Sequence, residues 1–99
     1  MIIDGFDISR DSSVYLIAEM SGNHNGRIEN AFKTIEAAKA SGANAIKLQT
    51  YTPDTLTIKS KRAEFYLSGG PWDGRHLYDL YHDAHTPYNW HARRFDYAK

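Results

Sequence analysis

Two short apolar runs joined by a single amphipathic helix constrain this chain more than any other feature of its sequence. Val14-Tyr15-Leu16-Ile17-Ala18 is near-continuous in apolar character, the mark of a strand covered on both faces. Ile28, Phe32 and Ile35 then recur at helical spacing, with Ala31 and Ala38 beside them and Glu29 and Lys33 as an outward i, i+4 pair. Ser41-Gly42 ends that helix, glycine taking the left-handed position that other residues avoid. Asn44-Ala45-Ile46-Lys47-Leu48-Gln49-Thr50 follows as the second strand. Strand, helix and strand with joints this short form a crossover, so the two strands run parallel and the connection is right-handed. The pattern predicts an α/β fold.

The second strand also carries the first chemical signal. Successive side chains on a strand point to opposite faces. Ile46 and Leu48 therefore share one face, while Ala45, Lys47 and Gln49 share the other. A lysine inside a short apolar strand is costly unless its charge meets an anion. Glu19 ends the first strand, on the face of Ile17 and Tyr15. Parallel neighbours end on the same edge of a sheet, so Glu19, Lys47 and Gln49 should converge where α/β proteins place their sites. The loop at residues 21–26 rises from that edge, and so does the one at 51–57. Lysine can hold a phosphate or carboxylate, glutamate can orient hydroxyls or move a proton, and amides can read sugar hydroxyls.

Each of these residues also has a plainer reading. Glu19 and Lys47 could form a structural ion pair. Asn23-His24-Asn25-Gly26 could be a helix-capping loop. Asp54 after Pro53 reads as turn chemistry. His82 and His85 share a helix face, but with His91 they find no convincing third ligand, so they are read as solvated histidines. Tyr78, Tyr81, Tyr88 and Trp90 read as packing rather than as a stacking platform for bases. Gly69-Gly70 lacks the spacing of a phosphate loop and receives no anion role.

Elsewhere, Ile2-Ile3-Asp4-Gly5-Phe6-Asp7-Ile8 reads as a hairpin about an Asp-Gly turn, and residues 9–13 as a polar connector. Residues 51–57 are expected as loop, 62–67 as a short helix and 68–74 as turns. Leu77, Leu80, Tyr81 and Ala84 predict a two-turn helix. Thr86-Pro87 reads as the start of a last helix, threonine as N-cap and proline at the first position. Tyr88, Ala92 and Phe95 are expected as its buried stripe. A third strand should follow such a helix, so the chain reads as truncated at Lys99.

Composition narrows the class. Ninety-nine residues suffice for one small domain, and the twelve basic and twelve acidic residues cancel, so no net field points to nucleic acid or an acidic membrane. Cysteine is absent, which excludes disulfides and thiolate zinc sites and is compatible with a cytoplasmic location. Neither a signal-peptide pattern nor an apolar run of membrane-spanning length is present.

Ile17-Ala18-Glu19-Met20-Ser21-Gly22-Asn23-His24-Asn25-Gly26 and Gly42-Ala43-Asn44-Ala45-Ile46-Lys47-Leu48-Gln49-Thr50-Tyr51 together resemble the N-terminal part of the sialic acid synthase family. Thr50-Tyr51-Thr52-Pro53-Asp54-Thr55, Leu77-Tyr78-Asp79-Leu80-Tyr81, Thr86-Pro87 and Trp90-His91 are most similar to its pseudaminic acid branch. The resemblance implies a (β/α)₈ TIM barrel, here only in part: the N-terminal hairpin, the first two parallel strands and their helices. It implies condensation of phosphoenolpyruvate with an N-acetylated aldose to a nine-carbon 2-keto acid, with release of phosphate. It further implies catalytic roles for Glu19, Lys47 and Gln49, Lys47 helping to hold phosphoenolpyruvate and Glu19 and Gln49 lining the pocket by the sugar. Asn23 and His24 would lie at the pocket's mouth, and Tyr51 and Asp54 would be further substrate contacts. A divalent metal, manganese or magnesium, is implied with ligands outside this chain, as is a homodimer. Such a barrel needs about 250 residues, so the chain alone is expected to be inactive. Two other readings stand beside this one. The first is another phosphoenolpyruvate-condensing sugar-acid synthase, whose phosphorylated sugar would need a basic cluster not evident near the strand ends. The second is a non-catalytic module that pairs through its open sheet edge.

Overall fold

The computed structural model describes residues 1–9, 11 and 13–99. The first element is the expected hairpin: strands β1 (Ile2–Ile3) and β2 (Phe6–Asp7) pair antiparallel, Ile3 opposite Phe6. Asp4 at φ 47° and Gly5 at φ 77° both take the left-handed region, as a two-residue primed turn requires. Of the polar connector expected at 9–13, Arg10 and Ser12 lie outside the described residues.

Strand β3 (Ile17–Met20), helix α1 (Ile28–Ala40) and strand β4 (Ala45–Leu48) form the crossover unit, with β3 and β4 parallel and in register from Ile17 opposite Ala45 to Met20 opposite Leu48. Helix α1 closes on a Schellman motif. The Gly42 N–H reaches the Lys39 carbonyl and the Ala43 N–H the Ala38 carbonyl, each at 3.0 Å, with Gly42 at φ 88°. Glu29 meets Arg27 at 3.8 Å rather than the expected Lys33. The apolar stripe of α1 lies on one sheet face: Met20, Ala31 and Ile35 are buried together, and Phe32, Ile46 and Leu48 pack around them.

The first apolar run does not become the strand expected. Regular pairing begins only at Ile17, and Val14, Leu16 and Ile17 are 76%, 51% and 59% exposed. Helix α1 covers the face of Met20, Ile46 and Leu48, and no described element covers the opposite face, which carries Glu19 and Lys47. The radius of gyration is 17.0 Å, against about 13 Å for a compact chain of this size, and the extents of 50 × 30 × 23 Å show that the chain is elongated.

The second half wraps over the sheet's C-terminal edge. Residues 51–57, expected as loop, contain one helical turn, α2 (Pro53–Leu56). Proline starts it, and the Thr55 hydroxyl accepts from the Thr52 N–H at 3.1 Å, closing the turn. The short helix expected at 62–67 is a 3₁₀ turn (Ala63–Phe65). Turns at 68–74 lead into α3 (Leu77–Ala84), then a second 3₁₀ turn (Tyr88–Trp90) and α4 (His91–Ala98).

The last helix corrects the sequence in two ways. Thr86 is not its N-cap: the residue is buried and its hydroxyl faces the His24 ring. Tyr88 and Phe95, expected inside, are 56% and 59% exposed, Ala92 is exposed too, and the buried residue of α4 is Arg94. For Tyr88 the cause is a change of pitch. Tyr88 lies in a 3₁₀ turn of three residues per turn, so it does not share the angular phase of α4. Helix α4 meets α1 instead through Tyr97 stacked on Phe32, ring centroids 4.3 Å apart, with the Tyr97 hydroxyl donating to Glu36.

Candidate functional site at the C-terminal edge of the parallel strands

Strand parity and ladder register bring three polar side chains together. Glu19 and Lys47 are direct partners in the parallel ladder, and the Lys47 ammonium donates to Glu19 Oε2 at 2.7 Å. Gln49 Nε2 donates to Glu19 Oε1 at 2.8 Å. Both carboxylate oxygens are thus occupied, and these bonds, Lys47 first, hold the Glu19 carboxyl below the usual carboxylate range. The lysine and glutamate side chains remain 62% and 48% exposed. Exposed ion pairs contribute little to stability, so folding alone is a weak reason for this one.

The loop after β3 is held from below by His24. Its ring is fully buried: Nδ1 accepts the Gly26 N–H at 3.1 Å, and Nε2 lies 3.0 Å from Thr86 Oγ1. A backbone N–H can only donate, so in the neutral ring the proton sits on Nε2 and is given to Thr86. Trp90 packs edge-on against the ring at 5.2 Å, and the His24 carbonyl accepts from Asn30 Nδ2 and the Arg27 N–H. Burial, then the charge of Arg94, push the His24 pKa down. With both nitrogens taken up inside the protein, His24 positions the loop and has no free polar atom for a ligand. The ring lies beneath the loop, and His24 is not among the residues that line the cavity beside it. Its neighbours Asn23 and Asn25 are exposed, Asn25 at φ 51°.

Asn23, Asn25, Gln49 and Tyr51 line one cavity of about 560 Å³. Tyr51 meets Tyr81 edge-on at 5.9 Å, and burial raises its hydroxyl pKa. Asp54 is not among the residues that line this cavity. It accepts from the Tyr78 hydroxyl at 3.2 Å and ties α2 to α3, in keeping with a structural role. Sequence reasoning missed the far wall, Trp72, Arg75 and Leu80. The one signal for it was a tryptophan set among glycines in a turn segment.

The remaining histidines are each occupied separately. His91 Nε2 lies 3.0 Å from Thr50 Oγ1, His85 Nδ1 reaches the His82 carbonyl, and His82 Nδ1 stands 3.4 Å from Asp83. Among the described residues no three histidine, aspartate or glutamate side chains converge as a metal site. No second carboxylate or histidine joins Glu19, so the described residues do not fit a divalent ion. No described helix is long and apolar enough to cross a membrane.

Comparison with known proteins places the chain in a family. The sequence profile of the NeuB family matches residues 34–99. A pseudaminic acid synthase of Campylobacter jejuni is 52% identical over 93 residues, covering 94% of this chain and 27% of that protein. One of Helicobacter pylori is 45% identical over 84 residues, 85% of this chain and 25% of that protein. An N,N'-diacetyllegionaminic acid synthase of Legionella pneumophila is 43% identical over 58 residues, 58% of this chain and 16% of that protein. The chain spans about a quarter of the length of the pseudaminic acid synthases it matches.

Proposed function

Because the chain belongs to the NeuB family, we propose that it is the N-terminal segment of a sugar-acid synthase, of the pseudaminic acid type, whose parallel unit forms the first two strands of a (β/α)₈ barrel. The reaction is condensation of phosphoenolpyruvate with an N-acetylated aldose: the enol carbon attacks the aldehyde, water adds to the resulting oxocarbenium carbon, and phosphate leaves by C–O cleavage to give a nine-carbon 2-keto acid. The observation that carries this reading is the Glu19–Lys47–Gln49 cluster at the C-terminal edge of the strands. Lys47 supplies the cation for the carboxylate or phosphate of phosphoenolpyruvate. Glu19 and the amide of Gln49 orient the sugar's hydroxyls. Asn23, Asn25 and Tyr51 flank the entrance from the two loops.

A divalent ion bound in the complete enzyme would supply Lewis-acid polarisation of the aldehyde, and it finds no ligand set among the described residues. A cytoplasmic homodimer is the expected setting. Titration of phosphoenolpyruvate into this chain tests the reading: resonances at Glu19, Lys47 and Gln49 should shift, and Lys47→Met should abolish the response. Equal binding by the variant, or none by the parent chain, refutes it.

One observation favours a second reading. Ile17 exposes apolar surface on the uncovered sheet face, being 59% exposed, which suits a non-catalytic module pairing with another chain. A monodisperse monomer in solution argues against that.

A further inference from the structure

The cavity beside the Glu19–Lys47 pair shares Gln49 with it, so whatever fills the cavity touches the cluster. Gln49 gives its amide nitrogen to Glu19 and keeps its carbonyl oxygen for a ligand. The walls divide by chemistry. Asn23 and Asn25 bring further amides, while Trp72 and Leu80 bring apolar surface. Trp72 is 55% exposed. Packing gains little from an indole held half in solvent, whereas a ligand gains a broad apolar face.

Among the described residues the only formal charges lining the cavity are Arg75 and Asp83, and they neutralise each other through an Arg75 Nη2 to Asp83 Oδ2 bond of 2.5 Å. The same guanidinium nitrogen also donates to the Asp79 carbonyl at 3.1 Å. No lysine lines the space.

We propose that Trp72 is a specificity-determining contact for the acceptor sugar, its indole lying on an apolar face or acyl methyl, and that the self-neutralised Arg75–Asp83 pair makes the cavity select an uncharged sugar over its phosphate ester. The inference rests on the synthase reading above. The amides match the N–H, carbonyl and hydroxyl groups of an acylamino sugar. A phosphoryl group would meet the Asp83 carboxylate and an arginine whose charge that carboxylate already balances, and like charges brought together at a binding surface are penalised.

The test uses the two tryptophans of the chain. They give two indole N–H cross-peaks in a ¹H–¹⁵N spectrum, and Trp72→Phe identifies which is which. N-acetylmannosamine should shift the Trp72 peak and leave that of Trp90 in place, and Trp72→Ala should weaken binding. N-acetylmannosamine 6-phosphate should bind at least ~10-fold more weakly, and Asp83→Asn, which frees the arginine, should narrow that gap. Sugar-induced shifts at Asn23 and Gln49 with the Trp72 peak unmoved, or equal affinity for the ester, overturn the inference and leave the synthase reading standing. If neither the sugar nor phosphoenolpyruvate shifts any resonance of the cleft, both fall.

Discussion

Glu19 and Lys47 stand opposite each other in the parallel ladder, 28 positions apart in the chain and 2.7 Å apart at their charged atoms. The pairing satisfies the lysine but also competes with any anion that lysine would hold. Removing the carboxylate charge while keeping its shape should therefore favour the anion. Glu19→Gln is expected to bind phosphoenolpyruvate several-fold more tightly than the parent chain at low ionic strength, with the gain fading as salt rises. Isothermal titration at two salt concentrations checks this; unchanged affinity would mean that Lys47 is not the anion's partner.

The same cluster should not turn over in this chain alone. Condensation of an enol with an aldehyde needs a site that excludes bulk solvent and admits only the one reacting water, and here the Glu19 face of the sheet is open, Ile17 beside it being 59% exposed. Phosphoenolpyruvate, N-acetylmannosamine and manganese together should yield no phosphate above background in a colorimetric assay. Measurable release would show that the chain closes its own site.

How much of this was legible in the sequence depends on the range of each interaction. The Asp4-Gly5 turn and the Gly42 helix end are local, since a handful of adjacent residues decide them. The Glu19–Lys47 pairing was legible for a different reason: strand parity and parallel register convert two sequence positions into one edge. His24 was not legible, because the group that occupies its ring, Thr86, lies 62 residues away and itself reads as a helix cap. Tyr88 was misread because it lies in a 3₁₀ turn out of phase with α4, and Phe95 because α4 meets α1 through Tyr97 on Phe32, a contact between distant positions that no local pattern announces. Trp72 fell in a segment rich in turn residues, where nothing local says what the tryptophan faces.

His24 should make stability sensitive to mild acid. Its pKa is depressed in the folded chain, chiefly by burial, and burial depresses that of His91 likewise. Their contribution is therefore fully present above the unfolded histidine value of about 6.5 and is lost as pH falls from there through the folded values. Protonation would also turn Nδ1 toward the Gly26 N–H as a second donor and add a charge near Arg94 and His85. Urea melts between pH 8 and pH 5 should show falling stability, and His24→Gln should flatten part of that slope. Thr86→Val should cost about 1–3 kcal/mol by leaving the buried Nε2–H without its acceptor. A His24→Gln slope identical to the parent would assign the pH dependence elsewhere.

Gly22 is required by contact, not by backbone angle. A Cβ built there would lie 2.6 Å from the Ala84 carbonyl oxygen and 2.9 Å from Ala84 Cβ. The first of these is backbone at the end of α3 and cannot swing aside. Gly22→Ala should therefore cost about 1–3 kcal/mol and push α3 away from the loop, loosening the cavity that both line. Thermal melts give the first effect, and shifted resonances at Tyr81 and Trp72 the second. A melting temperature equal to the parent's would mean that α3 is not seated against this loop.

Arg94 is the costliest residue the fold retains. Its side chain is fully buried, and Nε, Nη1 and Nη2 have no hydrogen-bond partner among the described residues. Burial pushes its pKa down, the direction expected of a charge taken from water without compensation. Uncompensated buried charge is where an apolar replacement of similar length outperforms the native residue. Arg94→Met keeps most of the aliphatic stem and should stabilise the chain by about 1–4 kcal/mol. It should also relieve His24 and His91 of a neighbouring positive charge and raise their pKa values toward the ordinary one. Arg94→Lys, which retains the charge, should do neither. Chemical melts with histidine titration by NMR separate these outcomes, and a loss of stability in Arg94→Met would mean that solvent or another chain reaches the guanidinium.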